Sequence, residues 1–333
     1  MQRKPHLRLA ITDACNLSCL YCRPGGEGKH ADYIMNYDEI MMSLKCASKA
    51  GFRHLKITGG EPLLREKQQH DLFKIISQIK NEGLFEKLEM VTNGVFLKEY
   101  SSELAYSGLD GLTVSLDVAN KDMFFNLTKH NEYEKIIDGI KEFKRYGISI
   151  NFNAVISSYN IHNVNDLISL SYDLGIDLKL IDYVNFEQEG FNLGCDIEYV
   201  CFDKIYDYLR TLQHQEYVLY PNGGLGTPMS VFELDNGVRI IVKDATVGTN
   251  YNDECKLCKY YPCQDALISI RITSDGYLKK CLLRDDNLLS IIDELQDKNY
   301  DKVMVKFKRL FDSLEESNYY PNLWNIRGAK NEN

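Results

Sequence analysis

The sequence predicts an α/β fold: an open (β/α)6 partial TIM barrel followed by a small C-terminal α+β domain. Three observations predict it. Apolar, β-rich runs alternate with segments of helical periodicity six times between residues 7 and 184. The alternation stops after about residue 185, where turn formers and two hairpin patterns take over. Polar clusters fall directly after the strand runs, where ligands gather in parallel sheets.

The strand runs are 7–12, 54–58, 87–92, 111–116, 149–156 and 177–184. Between them lie helical patterns at 37–50, 67–82, 98–107, 131–146 and 162–175. The first helix opens on Asn36-Tyr-Asp-Glu39, a capping-box pattern. Repeated β-then-α units imply parallel strands with right-handed crossovers. Six units are too few to close an eight-stranded barrel. Segment 185–198 is irregular and acidic, and a helix is expected over 201–213. Tyr220–Pro228 is rich in turn formers and reads as a loop. Segment 230–243 alternates as a hairpin, and 268–281 does so again around Asp275-Gly276. The expected division is 1–198 for the partial barrel and 199–333 for the second domain, with a C-terminal helix and tail.

Composition limits the function. No run approaches about 18 apolar residues, so no membrane span is expected. Met1–His6 leads straight into a strand without a signal-peptide core, so a cytoplasmic protein is expected. The net charge of −9 argues against nucleic acid as a partner. Ten cysteines without a secretion signal argue against a disulfide scaffold. Seven of them fall in two groups, which favours metal binding. Cys46 lies in an apolar helical pattern and reads as core. Cys195 and Cys201 read as free thiols.

The first group is Cys15-Asn-Leu-Ser-Cys19-Leu-Tyr-Cys22, with C-x3-C-x2-C spacing. Three thiolates on one loop can hold three irons of a cubic [4Fe–4S] cluster and leave the fourth open for chemistry. A structural zinc site would want a fourth ligand, and none is adjacent. The spacing, with Tyr21 before the third cysteine, resembles the cluster motif of radical S-adenosylmethionine (SAM) enzymes. Thr58-Gly-Gly-Glu-Pro62 resembles that superfamily's GGEP motif. The resemblance implies SAM binding by Gly59, Gly60, Glu61 and Pro62, with Glu61 receiving the SAM ammonium. Thr92 and Asn93 lie at the next strand end and are expected beside the cofactor. The implied chemistry is reductive cleavage of SAM to a 5′-deoxyadenosyl radical, in an oxygen-sensitive enzyme fed by a flavodoxin or ferredoxin-type reductant.

The second group is Cys255-Lys-Leu-Cys258, Cys263 and, after the hairpin, Cys281. C-x2-C beside a hairpin fits a zinc ribbon. Beside the first motif, a second, auxiliary [4Fe–4S] cluster is the preferred reading. Four ligands would close it; three would leave an iron for substrate.

The order of features also resembles the GTP 3′,8-cyclase family of molybdenum-cofactor biosynthesis, with a twitch- or SPASM-like C-terminal domain. The matching stretches are Leu7–Cys22, Thr58–Arg65, Val91–Gly94, Val114–Asp117, Asn153–Ile156, Leu180–Tyr183 and Arg271–Cys281. By that resemblance Ser115 and Asn153 contact SAM, and Arg271 and Lys179 line the substrate pocket. The departures are Ala14, Ser269 and Lys179 at positions where the cyclases carry arginine. The cyclases' Gly-Gly tail is only approximated by Ile326–Ala329. Arg does not exchange conservatively at phosphate sites. The preferred expectation is therefore hydrogen abstraction from another small biosynthetic substrate, by oxidation or rearrangement. GTP cyclisation, maturation of a ribosomal peptide and a non-enzymatic electron carrier are the alternatives. The first strand starts at about residue 7, so an added N-terminal peptide-binding domain is not expected.

Overall fold

The structure is a computed structural model that describes residues 4–22, 33–184, 197–221, 224–259, 261, 263 and 269–321. Ile326–Ala329 and Cys195 lie outside these residues. Six parallel strands form the frame: β1 (His6–Ala10), β2 (His54–Thr58), β3 (Lys87–Thr92), β4 (Gly111–Ser115), β5 (Ile150–Ile156) and β6 (Asp177–Asp182). The helices between them are α1 (Tyr37–Ala50), α2 (Pro62–Gln69), α3 (Leu72–Asn81), α4 (Ser101–Tyr106), α5 (Lys121–Thr128), α6 (Tyr133–Lys144) and α7 (Val164–Leu174).

Local sequence explains the ends. Asn36 accepts from the Glu39 N–H at 3.0 Å, and the Glu39 carboxylate accepts from the Asn36 N–H at 2.8 Å, completing the capping box. The helix expected over 67–82 is two helices. Pro62 starts α2 in its first turn, capped by Glu61, and His70 ends it in the left-handed region at φ +55°. Helix α5 has no counterpart among the expected helices; Asn120 caps it by accepting from the N–H groups of Asp122 and Met123.

The C-terminal third adds α8 (Asp203–Thr211), β7 (His214–Leu219), β8 (Met229–Leu234), β9 (Arg239–Lys243), β10 (Gly248–Tyr251) and α9 (Asp253–Lys256). Then follow β11 (Ser269–Ile272), β12 (Tyr277–Lys279), β13 (Leu289–Ser290), α10 (Ile292–Gln296), α11 (Tyr300–Glu315) and β14 (Asn318–Pro321). Both expected hairpins form, as β8–β9 and β11–β12. Neither stands apart from the barrel strands. β9 pairs in parallel with β6, and β11 pairs in parallel with β1. Among the described residues twelve strands form one sheet, ordered β13-β12-β11-β1-β2-β3-β4-β5-β6-β9-β8-β7. The last third thus covers both edges of the six-stranded frame, where bare N–H and C=O groups would otherwise be exposed.

The pleat divides each strand between two faces. Leu7, Leu9, Leu55, Ile57, Leu88, Met90, Leu112, Val114, Phe152, Leu178 and Leu180 are fully buried in one core with the helices. The C-terminal helix α11 joins that core: Phe307 and Phe311 pack edge-on against Phe52 at 6.3 and 5.1 Å. The alternate residues, including Arg8, Lys56, Glu89, Ser115, Asn153 and Lys179, face the other way and line the barrel lumen.

Candidate active site and its two cysteine groups

Cys15, Cys19 and Cys22 lie on the loop that leaves β1, at the strands' C-terminal end. Two sets of backbone hydrogen bonds hold this loop. Ser18 and Leu20 donate to the carbonyls of Thr128 and Leu127 at the end of α5, both at 3.0 Å. Gly60 donates to the Thr12 carbonyl at 2.7 Å, and Glu61 to that of Ala14 at 2.8 Å. A Cβ on Gly59 or Gly60 would collide with the Thr12 or Ala14 carbonyl. The paired glycines therefore admit the backbone of the cysteine loop itself. Arg65, with no exposed surface, donates to the carbonyls of Ile11 at 2.8 Å and Met35 at 3.1 Å, at the loop's two ends. Asp71 grips its guanidinium through two 2.7 Å bonds.

Glu61 is wholly buried. It accepts from the Leu63 N–H at 3.0 Å, the Thr92 hydroxyl at 2.7 Å and the Asn93 N–H at 2.7 Å. Burial pushes its carboxyl up to about 7 in spite of these three donors. Thr92 and Asn93 thus tie the end of β3 to the GGEP turn. The Asn93 amide also donates to Asn16 at 2.9 Å and lies 3.7 Å from the Cys15 sulfur. Tyr21 donates its hydroxyl to Asp117, which also accepts from the Val155 N–H at 2.7 Å. Ser115 and Asn153 are direct neighbours across β4 and β5, and Asn153 neighbours Lys179 across β5 and β6.

The lumen below is rich in cations. Arg8 on β1 stands beside Arg271 on β11 and Lys56 on β2. Lys56 pairs with Glu89 at 3.2 Å, and Lys243 pairs with Asp182 at 3.0 Å. Burial would raise Glu89, but Lys56 and Lys87 outweigh it and hold the carboxyl at about 2. Burial, reinforced by Lys56, Lys243 and Arg8, lowers Lys179 to about 7. His54 Nδ1 and His6 Nε2 lie 3.1 Å apart at the start of their strands, and burial, then Lys56, lowers His6 to about 3.

The second group lines one cavity. Cys255, Cys258, Cys263 and Cys281 share its wall with Tyr251 and Asn287. Asn252 caps α9 by accepting from the Cys255 N–H at 3.1 Å. Among the described residues no three His, Cys, Asp or Glu side chains converge on a single metal ion. A zinc ion needs sulfurs about 2.3 Å from one point. Thiols spread around a cavity suit a larger group.

Residues 9–170 match the model of the radical SAM superfamily. A probable GTP 3′,8-cyclase of Methanocaldococcus jannaschii is 31% identical over 294 residues, covering 87% of this chain and 89% of the relative. The chain belongs to the radical SAM superfamily, within the GTP 3′,8-cyclase family. A GTP 3′,8-cyclase of Peptoclostridium acidaminophilum is 30% identical, covering 86% and 83% of the two chains. Among solved structures, SuiB of Streptococcus suis bound to S-adenosylmethionine superposes with a TM-score of 0.59 at 18% identity, over 92% of this chain and 68% of its own. That likeness shows the fold, a radical SAM partial barrel.

The radical SAM enzyme uses a [4Fe–4S] cluster and SAM, and the loop after β1 offers three thiols beside the GGEP turn. Burial and Asp117 push the Cys19 thiol well above its ordinary value, and burial also raises that of Cys15. Such thiols become thiolates when iron charge stands beside them. The sequence pointed to the cysteines, the GGEP turn and the strand ends. It did not single out Arg65, Lys56, Lys243, the His6–His54 pair or Tyr251. Strand alternation carries the signal for Lys56, a charged residue flanked by Leu55 and Ile57 in an apolar run.

Proposed function

We propose that the protein is a GTP 3′,8-cyclase, with the triphosphate of GTP held in the cation-lined lumen. The observation that carries this reading is the convergence of Arg8, Lys56, Lys179, Lys243 and Arg271 on one face, where Lys56 and Lys243 have carboxylate partners. Lys179 has no carboxylate partner among the described residues and sits in a field that disfavours its charge. A polyanion would relieve that cost. The preference for another substrate rests on Ala14, Ser269 and Lys179. Arg8, Lys56 and Lys243 supply positive charge in the same lumen, and the relatives' names favour the cyclase.

Cys15, Cys19 and Cys22 would hold three irons of the cluster, and the GGEP turn, Ser115 and Asn153 would border SAM. Together the cluster and SAM would supply one-electron hydrogen abstraction. The chain's own contribution is placement. Arg65 and the two glycines fix the cysteine loop against the GGEP turn, and the lumen cations orient the nucleotide. Cys255, Cys258, Cys263 and Cys281 would hold an auxiliary [4Fe–4S] cluster, and a flavodoxin or ferredoxin-type protein is the proposed reductant.

The test is anaerobic incubation of reconstituted protein with GTP, SAM and dithionite. A cyclised nucleotide formed in step with 5′-deoxyadenosine supports the reading. Formation of 5′-deoxyadenosine with GTP left intact overturns it in favour of another small substrate. Loss of 5′-deoxyadenosine when Cys15, Cys19 and Cys22 are all changed to Ala checks the assignment of the catalytic cluster.

A further inference from the structure

Ser274 lies in the turn between β11 and β12, with 1% of its surface exposed. From there it reaches back to the loop after β1, 261 positions earlier in the chain. Its hydroxyl donates to the Asp13 carboxylate at 2.6 Å, and its carbonyl accepts from the Met35 N–H at 2.8 Å. Asp13 comes two residues before Cys15, and Met35 comes directly before the cap of α1. One residue thus clasps both ends of the segment that carries Cys15, Cys19 and Cys22. Arg65 meets the same two ends from α2, through Ile11 and Met35. The turn that presents Ser274 is itself braced. The Thr273 hydroxyl accepts from the Tyr277 N–H at 2.9 Å and donates to Asp275, which has no exposed surface. The Gly276 carbonyl accepts from the Ile291 N–H at 2.9 Å. The strand that enters this turn carries Arg271 beside Arg8.

The ladder between β1 and β11 ends at Leu9 and Ile272. Ser274 carries the alignment four residues further along the first chain, to Asp13, by a short hydroxyl-to-carboxylate bond of the stronger kind. We propose that Ser274 is a positioning residue for the radical reaction: acting through Asp13 and Met35, it holds the N-terminal cysteine loop in register with Arg271. Hydrogen abstraction needs its reacting atoms within about 3–3.5 Å. A loop that shifts against the strand bearing Arg271 moves the radical source relative to the substrate. The inference rests on the reading of Cys15, Cys19 and Cys22 as the radical-generating group and of Arg271 as a substrate contact. It does not depend on what the second cysteine group holds.

The first measurement uses the full chain without metal or substrate. Hydrogen exchange is read at the amides of Ser18, Leu20, Gly60 and Glu61, which hold the loop to α5 and to the GGEP turn. Ser274→Ala should speed their exchange by roughly tenfold or more, the scale of one charge-assisted hydrogen bond. Amides of β4 and α6 should keep their rates, which shows the barrel intact. Asp13→Ala should repeat the effect. Asp13→Asn should not, because its amide oxygen still accepts from Ser274, and Ser274→Thr should stay near the unaltered protein. Should Ser274→Ala fail to fold, the two Asp13 variants decide. The second measurement uses reconstituted enzyme with GTP, SAM and dithionite, and counts 5′-deoxyadenosine formed per nucleotide cyclised. Ser274→Ala should raise that ratio severalfold, as radicals form without reaching substrate, and Ser274→Thr should bring it back. Unchanged exchange in Ser274→Ala overturns the proposal. Faster exchange with an unchanged ratio also overturns it, since the residue is then only a structural tie. If the unaltered protein leaves GTP intact, the substrate reading fails instead, and the exchange rates alone decide the role of Ser274.

Discussion

Tyr21 donates its hydroxyl to the carboxylate of Asp117, joining the cysteine loop after β1 to the end of β4. Asp117 is 8% exposed, and burial raises its carboxyl to about 6. The bond reaches past β2 and β3 and lies beside the cysteines, so it couples the loop's position to the barrel.

Tyr21→Phe should leave that buried carboxylate short of a donor, at a cost of about 1–3 kcal/mol. The expected result is a lower urea midpoint together with reduced iron retention at the N-terminal cluster. Iron loading equal to that of the unaltered protein would show that the loop does not need the tie.

Glu61 gives a pH signature. Its folded value of about 7 lies above the ordinary 4.5, so the folded state holds a proton that the unfolded chain releases. Stability from this group is therefore present below about 4.5, lost as the pH rises to about 7, and constant above. If the SAM ammonium meets this carboxylate, binding should expel the proton within that window. Titration calorimetry in buffers of different ionisation enthalpy measures the release; none would make Glu61 a purely internal brace. Glu61→Gln should also destabilise the fold, because an amide turned toward Asn93 or Leu63 opposes donor to donor.

Arg65→Met should cost about 3–5 kcal/mol, the scale for breaking a buried ion pair. It strands Asp71 and the carbonyls of Ile11 and Met35 together. Arg65→Lys should recover part of the loss, since an ammonium cannot reproduce the planar fork. Chemical denaturation of the three proteins side by side checks the order.

Lys179→Ala should raise KM for the nucleotide by roughly tenfold to a hundredfold, the loss of one charge-assisted bond, with a smaller effect on kcat. The ammonium, lowered to about 7, gives up its proton as the pH rises through that value, so KM should climb on the alkaline side. Lys179→Arg should restore affinity and flatten the profile. A KM for Lys179→Ala equal to that of the unaltered protein would remove the residue from the substrate site.

The parallel frame was legible because each strand carries its own apolar run and each helix its own period. The first capping box and the clustering of polar residues at strand ends were legible for the same local reason. Helix α2 was misplaced because Glu61-Pro62, a capped helix start, was taken for a ligand turn alone. The pairing of β9 with β6 and of β11 with β1 was not legible, since short apolar runs do not declare their partners. The same limit hid Arg65. Nothing beside it in the chain reveals that its acceptors are Ile11 and Met35. Tyr251 escaped notice because its partner, the backbone of Cys263, is fixed by one hydroxyl rather than by a pattern.

The parallel pairing of β1 with β11 sets the order in which the molecule can be completed on the ribosome. The frame from β1 to β6 can assemble as it emerges, but the free side of β1 must wait for Ser269–Ile272. Until then a nascent chain carries an exposed strand edge of the kind that seeds aggregation. Stop codons just before Ser269 should therefore yield insoluble protein, measurable as the pelleted fraction on expression, although they spare every residue of the N-terminal cysteine loop. Quality control of this protein is thus decided late, by whether the segment that bears Arg271 arrives to cover the first strand made.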